Sequence, residues 1–172
     1  MTIQWKKVKD ARTTTAVLCA TALGAGLVPY APGTMGTLFA VPLAYLSNGW
    51  STVIRIILWV GLTFIGTWAA KVIDEKMGSS DNQSIVIDEV VGYGISAWTA
   101  GTQFQTLLAA FVLFRIFDVI KIAPVRQIDL WSKRQSKKSK WLGGFGVIAD
   151  DILAGFQALA VILLLQFYQL LP

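Results

Sequence analysis

The 172-residue sequence contains no histidine and only one cysteine, Cys19. The absence of imidazole excludes serine–histidine and cysteine–histidine nucleophile pairs, histidine phospho-intermediates, and zinc or di-iron sites with histidine ligands. A lone cysteine forms no internal disulfide and no cysteine-rich metal site. Cys19 lies in an apolar stretch that favours a small core residue. Carboxylates, hydroxyls and cationic side chains remain as the groups that could carry chemistry.

Charge is also scarce in this sequence. Only 15% of the residues are charged and 55% are hydrophobic, whereas soluble domains carry roughly 25% charged residues. Together with several long apolar stretches, this composition predicts an all-α integral membrane helical bundle. A very apolar soluble helical bundle is the alternative interpretation. The chain length predicts one domain over residues 1–172.

The positive charge is concentrated in two segments, within a formal net charge of +5. Residues 1–12 form a basic N-terminal segment, and residues 124–146 form a basic, Gly-rich connection. The positive-inside rule predicts that both lie on the cytoplasmic side. A second interpretation adds attraction to anionic lipid headgroups, at about 1 kcal/mol per basic residue. Nucleic-acid binding fits poorly, because the basic connection lies between membrane-like segments.

Apolar runs separated by turn residues predict the helices and short helical hairpins of the bundle. The hairpins 37–73 and 84–121 and a final span from residue 150 would all place their charged ends on the cytoplasmic side. The first helix would then lie in the interface or insert partway. The predicted helices cover residues 14–28, 37–47, 52–73, 84–98, 105–121 and 147–171.

Half of the acidic residues lie in apolar surroundings. Burying an unpaired carboxylate costs more than one apolar side chain returns, so such residues need a metal, a cation or a water-filled cavity. Carboxylates are hard oxygen donors of the kind that suit Mg²⁺, Mn²⁺ or Ca²⁺. Several of them brought together repel one another unless a cation neutralises them. The five residues are Asp88, Glu89, Asp118, Asp150 and Asp151.

Two cations flank one of these acids. Arg115 and Lys121 are each three residues from Asp118, which places all three along one side of a helix. One interpretation is local salt bridging. The other is that the two cations hold phosphate oxygens, since Mg²⁺ also binds substrate phosphates through a few carboxylates. This combination indicates phosphoryl chemistry at a membrane surface.

A turn rich in proline and glycine, over residues 29–37, adds to this pattern. It is consistent with a simple interhelical turn. It is equally consistent with a loop whose backbone N–H groups and hydroxyls cradle an anion at a helix N-terminus. The residues alone leave both interpretations open.

Four blocks in order resemble the phosphatidylglycerophosphatase A family of bacterial membrane lipid phosphatases. They cover nearly the whole chain from residue 29 to residue 155. A departure lies after Lys121, where the family commonly has Lys-Pro-x-Pro and this sequence has Lys-Ile-Ala-Pro. This difference affects loop shape and substrate preference more than the carboxylates. The blocks are PGTMGT at 32–37, DNQSIVIDEVVG at 81–92, FRIFDVIK at 114–121 and GGFGVIADDILAG at 143–155.

The resemblance implies Mg²⁺-dependent removal of the terminal phosphate from phosphatidylglycerophosphate, giving phosphatidylglycerol. It also implies a bundle in which one helix is enclosed by the others. The expected location is the bacterial inner membrane, with a multi-pass chain and the active site facing the cytoplasm. The expected partners are the phospholipid substrate and the membrane, with no nucleic acid and no obligatory protein partner.

The expected site uses all five carboxylates as catalytic residues and as ligands of one or two Mg²⁺ ions. Arg115 and Lys121 are expected to bind phosphate oxygens, assisted by Thr34 and by the backbone of Gly33 and Gly36. Water and a carboxylate both remain candidates for the nucleophile. Two other classes of function stay open: a membrane cation transporter or channel, and a structural bundle whose acids only form ion pairs. The position of the acids near helix ends and cations favours a headgroup site over an ion pathway.

Overall fold

The computed structural model describes residues 3–78, 82–135 and 139–172 and contains only helices and turns within these ranges. This confirms the predicted all-α fold. Two short 3₁₀ turns, Trp5–Lys7 and Ala25–Leu27, accompany the α-helices. The α-helices are α1 (Ala11–Ala20), α2 (Pro32–Ser47), α3 (Thr52–Met77), α4 (Ile87–Ser96), α5 (Phe104–Ile120), α6 (Val125–Gln135) and α7 (Lys140–Phe167).

The ends of several helices follow from local sequence. Asp10 is the N-cap of α1, where its carboxylate accepts a hydrogen bond from the backbone N–H of Thr13 at 2.8 Å. α3 ends at Gly78, which adopts a left-handed conformation with φ of +73°. Pro32 occupies the first turn of α2, where its missing N–H has no cost.

The start of α2 differs from the predicted turn over residues 29–37. The turn in the chain direction ends at Ala31, which has φ of +50°. Gly33, Gly36 and Thr37 therefore lie inside the helix. The Thr37 hydroxyl donates to the Gly33 carbonyl at 2.9 Å. The backbone N–H groups after this point are therefore used by the helix, which leaves only its first turn free to meet an anion.

α4 is the enclosed central helix that the family resemblance implied. It packs against α2, α3, α5 and α7, and most of its residues are buried. Consequently α2 packs mainly against α4. The two helices of the predicted 37–73 hairpin, α2 and α3, do not pack closely on each other, because α4 lies between them. Gly92 on α4 and Gly155 on α7 allow the closest approach, because a Cβ at Gly155 would clash with the Gly92 carbonyl oxygen. This close approach brings the acidic turns of α4 and α7 together.

The predicted connection 124–146 contains more regular structure than expected. α6 occupies residues 125–135, and α7 already begins at Lys140, so the glycines at 143–146 are helical. Gly144 has a packing role, because a Cβ there would lie 2.6 Å from the Thr67 carbonyl oxygen of α3. Asp81 of the second sequence block and the basic residues Lys137 and Lys138 lie outside the described residues.

Within the described parts of the chain, two helices are long and apolar enough to cross a membrane by length and composition, Thr52–Met77 and Lys140–Phe167. Only 39% of the most apolar window of each helix is buried inside the bundle. On α3, Ile57 and Phe64 are 65% and 70% exposed. Apolar side chains exposed to this extent are expected to be covered by lipid rather than water, which indicates membrane association. α1 has 10 residues and is too short to cross a core of about 30 Å.

Candidate metal and phosphate site

The first turn of α4 and the middle of α7 bring three carboxylates together. Asp88, Glu89 and Asp151 each offer an oxygen within 4.8 Å of the others. Asp88 and Glu89 lie at the N-terminus of α4, where the free N–H groups and the helix dipole favour negative charge. The two helices that supply these residues are the pair held close by Gly92 and Gly155.

The cluster of three carboxylates is suited to a divalent cation, because some of its oxygens are buried and lack a hydrogen-bond partner. Oε2 of Glu89 and Oδ2 of Asp151 are buried and accept no hydrogen bond. Buried acceptors without a partner are rare, and several anionic oxygens so close repel one another. A hard cation bound by carboxylate oxygens would satisfy both conditions, and the oxygen-only donor set suits Mg²⁺.

Asp118 reaches this group from α5, and Arg115 links it to Glu89. The Arg115 guanidinium lies 2.6 Å from Oδ2 of Asp118 and 3.8 Å from Oε1 of Glu89. The carboxyl groups of Asp118 and Asp151 are also within hydrogen-bonding reach of each other. Asp118 therefore joins the acidic group, and the ion pair expected from its spacing to Arg115 is present.

Lys121 forms its described ion pairs with two carboxylates other than Asp118, its neighbour in the sequence. Its Nζ lies 2.7 Å from Oδ2 of Asp150 and 2.7 Å from Oδ1 of Asp129 on α6. Lys121 follows the end of α5 in a left-handed conformation with φ of +50°, which an L-residue rarely adopts. The structure thus divides the five acids in three ways: Asp88, Glu89 and Asp151 form the group of three, Asp118 adjoins this group beside Arg115, and Asp150 lies beside Lys121.

Charge pairing shifts the pKa values of the Lys121–Asp129 pair. Partial burial lowers the pKa of Lys121, but Asp150 and Asp129 outweigh this effect and raise it above its ordinary value. Partial burial raises the pKa of Asp129, but hydrogen bonds from Lys121 and Lys133 outweigh it and hold the pKa below its ordinary value. Both groups are therefore charged at neutral pH.

A cavity of about 350 Å³ opens beside the acidic group and contains polar and apolar walls. Gly33 lies directly against the Glu89–Arg115 pair, since a Cβ at this position would clash with Oε1 of Glu89 and lie 3.1 Å from the guanidinium. Gly36 instead packs on Val86. Thr34 and Gly36 are not among the described residues that line the cavity. Those residues are Ala31, Pro32, Gly33, Asn82, Gln83, Ile85, Asp88, Glu89, Arg115 and Val147.

Sequence reasoning missed two polar residues of this region, Asp129 and Asn82. Asp129 lies in a polar segment, where an acidic residue carries no burial signal. Asn82 is 3% exposed; its Oδ1 accepts from the Ser84 N–H at 3.1 Å, and its Nδ2 is buried without a hydrogen-bond partner. The Asn-x-Ser spacing before an apolar run is typical of such a turn and could have indicated this residue.

The fold and the site define a helical bundle that gathers carboxylates and cations between facing helices, next to a cavity lined by Asp88, Glu89 and Arg115. Bundles of this class hold metals and ligands between their helices. The family model described as PgpA, Phosphatidylglycerophosphatase A, matches residues 18–166. The chain belongs to the phosphatidylglycerophosphatase A family. It is thus a member of a phosphatase family.

Individual relatives agree with the family match. The chain is 34% identical over 155 residues to the phosphatidylglycerophosphatase A of Haemophilus influenzae, covering 89% of this chain and 90% of that protein. It is 37% identical over 141 residues to the Escherichia coli K12 protein of the same name, covering 80% and 76%. A Bacteroides thetaiotaomicron protein, provisionally named a phosphatidylinositol-3-phosphatase, is 34% identical over 157 residues, covering 85% and 90%. No solved structure matches the chain.

Proposed function

We propose that the protein is a Mg²⁺-dependent lipid phosphatase that converts phosphatidylglycerophosphate to phosphatidylglycerol and phosphate. The family membership supports the reaction. The observation that carries the proposal is the group of three carboxylates with unpartnered buried oxygens, adjacent to Arg115 and a cavity. Hydrolysis adds water across the terminal P–O bond, so the hydroxyl goes to phosphorus and the proton to the alcohol oxygen of the lipid.

Asp88, Glu89 and Asp151 would hold the metal ion, and Asp118 and Asp150 complete the acidic site on either side. A bound Mg²⁺ would supply charge neutralisation and polarisation of the phosphate group. The carboxylates themselves supply candidates for the general base. Their distribution over α4, α5 and α7 fixes the site to three packed helices rather than to a loop.

Arg115 and Lys121 would bind the phosphate oxygens of the substrate. Arg115 lines the cavity and is held by Asp118 at 2.6 Å, while its contact with Glu89 is looser at 3.8 Å. A guanidinium can exchange the looser contact for a phosphate oxygen without losing its orientation. The missing side chain at Gly33 lets the first turn of α2 lie against this guanidinium. Thr34 and the backbone of Gly36 would assist from the same N-terminal part of α2.

We further propose a multi-pass protein of the bacterial inner membrane, one domain over residues 1–172, with its site facing the cytoplasm. The basic N-terminal segment lies at the end of α3, where the Lys7 ammonium donates to the Met77 carbonyl at 3.3 Å. The basic helix α6 follows the end of α5. The positive-inside rule places both basic segments on the cytoplasmic side, and α6 reaches the acidic site through the contact of Asp129 with Lys121.

A second candidate substrate is phosphatidylinositol 3-phosphate, which the name of the Bacteroides relative suggests. Both lipids carry a phosphomonoester on a polar headgroup, so the same carboxylates and cations would act on either. The headgroups differ in bulk, since inositol is a six-membered ring and glycerol is a short chain. Direct competition between the two lipids separates these candidates.

The test is phosphate release by the full-length protein in lipid vesicles, with Mg²⁺ and with a chelator. Phosphatidylglycerophosphate and phosphatidylinositol 3-phosphate are supplied in parallel, and ion flux is measured on the same vesicles. Asp88→Asn is the inactivating variant. Glu75→Gln is the matched control. Glu75 is an acidic residue of α3 with a 39% exposed side chain, and its described ion pairs are with Arg12 and Lys71, outside the proposed metal and phosphate ligands.

We expect Mg²⁺-dependent release from phosphatidylglycerophosphate by the wild type and by Glu75→Gln, and none by Asp88→Asn. Full release by Asp88→Asn would contradict the proposed site. Ion flux without phosphate release would support the transporter alternative instead.

A further inference from the structure

α6 carries one acidic residue, and that residue faces the bundle rather than solvent. The exposed residues of α6 include Arg126, Lys133 and Arg134 together with Leu130. The Asp129 side chain is only 14% exposed and accepts hydrogen bonds from Lys121 at 2.7 Å and Lys133 at 2.9 Å. A carboxylate turned inward from an otherwise basic helix indicates a specific contact rather than a solvated face.

The contact fixes the ammonium group of Lys121. An ammonium has three N–H donors, and two of them are directed at Oδ1 of Asp129 and Oδ2 of Asp150, each at 2.7 Å. Because the three donors are arranged tetrahedrally, two hydrogen bonds to separate carboxylates also set the direction of the third. The Lys121 side chain is 32% exposed, so the protein does not fully enclose this ammonium.

The two carboxylates come from different helices, and α6 is held in place next to them. Val125 at the start of α6 is 1% exposed, and Gln157 of α7 donates to the carbonyl of Ala123 at 3.0 Å. Asp150 alone would leave the ammonium free to rotate about one hydrogen bond. The second anchor, Asp129, removes this rotation.

We propose that Asp129 is a positioning residue for phosphate binding, which together with Asp150 directs the remaining N–H of Lys121 towards the phosphate of the substrate. This inference rests on the proposed function, since it needs Lys121 to bind a phosphate oxygen. Asp129 itself touches Lys121 and not the phosphate.

The sign of the expected effect separates this role from simple electrostatics. A carboxylate near a phosphate repels it, so removing the charge of Asp129 would tighten phosphate binding if the charge were all that mattered. If Asp129 orients Lys121, the same substitution weakens phosphate binding, because the donor is no longer held in the binding direction.

The experiment uses the full-length protein in vesicles and measures KM and kcat for the lipid phosphomonoester and the inhibition constant of inorganic phosphate. For Asp129→Asn we expect KM and the inhibition constant to rise about tenfold, the size expected for one lost charge-assisted hydrogen bond, with kcat within about threefold. Asp129→Glu keeps the carboxylate and should recover most of the affinity. Lys133→Gln removes a second cation that contacts Asp129 and should change KM less than about twofold.

A double-substitution cycle provides the decisive readout. In a Lys121→Gln background, Asp129→Asn should cause no further loss of phosphate affinity, because the group that it positions is gone. Additive losses, or tighter phosphate binding by Asp129→Asn, would overturn the positioning role. If Asp129→Asn does not fold, Asp129→Ser, which also removes the carboxylate, carries the test, and a KM equal to that of the wild type would overturn the positioning role. Loss of activity in Asp88→Asn with an unchanged KM in Asp129→Asn would reject this inference and leave the proposed function intact.

Discussion

Two arginines at different ends of the bundle show how the same side chain is used for structure and for a site. Arg55, near the start of α3, stacks on the Trp98 ring at 3.9 Å and donates to Asn48 Oδ1 at 2.6 Å and to the Trp98 carbonyl. Arg115, near the end of α5, instead contacts two carboxylates and lines a cavity. Arg55 donates to a backbone carbonyl after α4, whereas Arg115 has a loose contact that a ligand can replace.

The difference shows how a buried charge is stabilised at each end of this apolar protein. At the Arg55 end, the cation lies against one carbonyl dipole, an amide oxygen and an indole face, and its described hydrogen bonds go to groups of the protein that cannot leave. At the Arg115 end, acids exceed cations, and one oxygen each of Glu89, Asp150 and Asp151 is buried without a hydrogen bond. The second arrangement is stable only with a further cation, which is the physical basis for the proposed metal site.

The largest expected effect comes from Asp151→Asn. It should lower phosphate release at least about a hundredfold, equivalent to about 2.7 kcal/mol of transition-state stabilisation. Without metal it should raise the midpoint of thermal unfolding, because it relieves repulsion among close carboxylates. Activity assays with Mg²⁺ and unfolding curves with a chelator measure both quantities. Normal activity together with lower stability would show that the acids only form structural ion pairs.

The next effect concerns the two arginines directly, through Arg115→Lys and Arg55→Lys. Arg115→Lys keeps the charge but loses the planar fork, so KM should rise about tenfold with little change in stability. Arg55→Lys should lower the free energy of unfolding by about 1–2 kcal/mol through loss of the stacked, multiply bonded guanidinium, with KM unchanged. Kinetics and denaturant unfolding of both variants give the comparison. If both variants changed KM and the free energy of unfolding in the same way, the assignment of Arg115 to a site and Arg55 to structure would be wrong.

A smaller effect is expected from glycine substitutions. Gly33→Ala places a methyl group against Oε1 of Glu89 and beside the Arg115 guanidinium, so it should reduce activity about tenfold and cost about 1–3 kcal/mol of stability. Gly61→Ala is the matched control, since nothing lies within 4 Å of a Cβ there. It should leave activity unchanged and stabilise helix α3 by about 0.5–1 kcal/mol. Full activity in Gly33→Ala would show that the first turn of α2 is not part of the active site.

The smallest effect lies outside both regions, at the N-cap of α1. Hydrogen bonds from the Thr13 backbone, Lys76 and the Thr13 hydroxyl lower the pKa of Asp10 to about 2. A carboxyl group with a lowered folded-state pKa contributes stability that is complete above its unfolded pKa of about 3.9 and is lost as the pH falls through about 2. Asp10→Asn should therefore slightly lower the unfolding midpoint at pH 7, and the difference should disappear near pH 2. A difference that persists at pH 2 would contradict this assignment.

The sequence predicted the all-α fold and the five acids because both depend on local pattern. Asp88, Glu89 and Asp151 were visible as charges in apolar runs, and burying such charges requires a partner wherever the helices lie. The enclosure of α4 followed from the family resemblance, since helix order alone does not reveal that α4 separates α2 from α3.

Other features could not be predicted, because they depend on contacts between distant segments. Asp129 is in a polar segment, so no burial signal marks it, and its contact with Lys121 exists only because α6 packs against α7. The pairing of Lys121 with Asp150 rather than Asp118 depends on the left-handed conformation at the end of α5. The glycines at 143–146 resemble a flexible linker in sequence, although close packing against α3 makes them helical.

The most direct test of the central claim measures metal binding without reference to catalysis. Electron paramagnetic resonance of Mn²⁺, titrated into the full-length protein in lipid nanodiscs, reports bound and free ion as the site fills. We predict saturable binding by the wild type and by Glu75→Gln, competition by Mg²⁺, and loss of binding in Asp151→Asn. Equal binding by Asp151→Asn and the wild type, or no saturable binding by either, would contradict a metal site between α4 and α7.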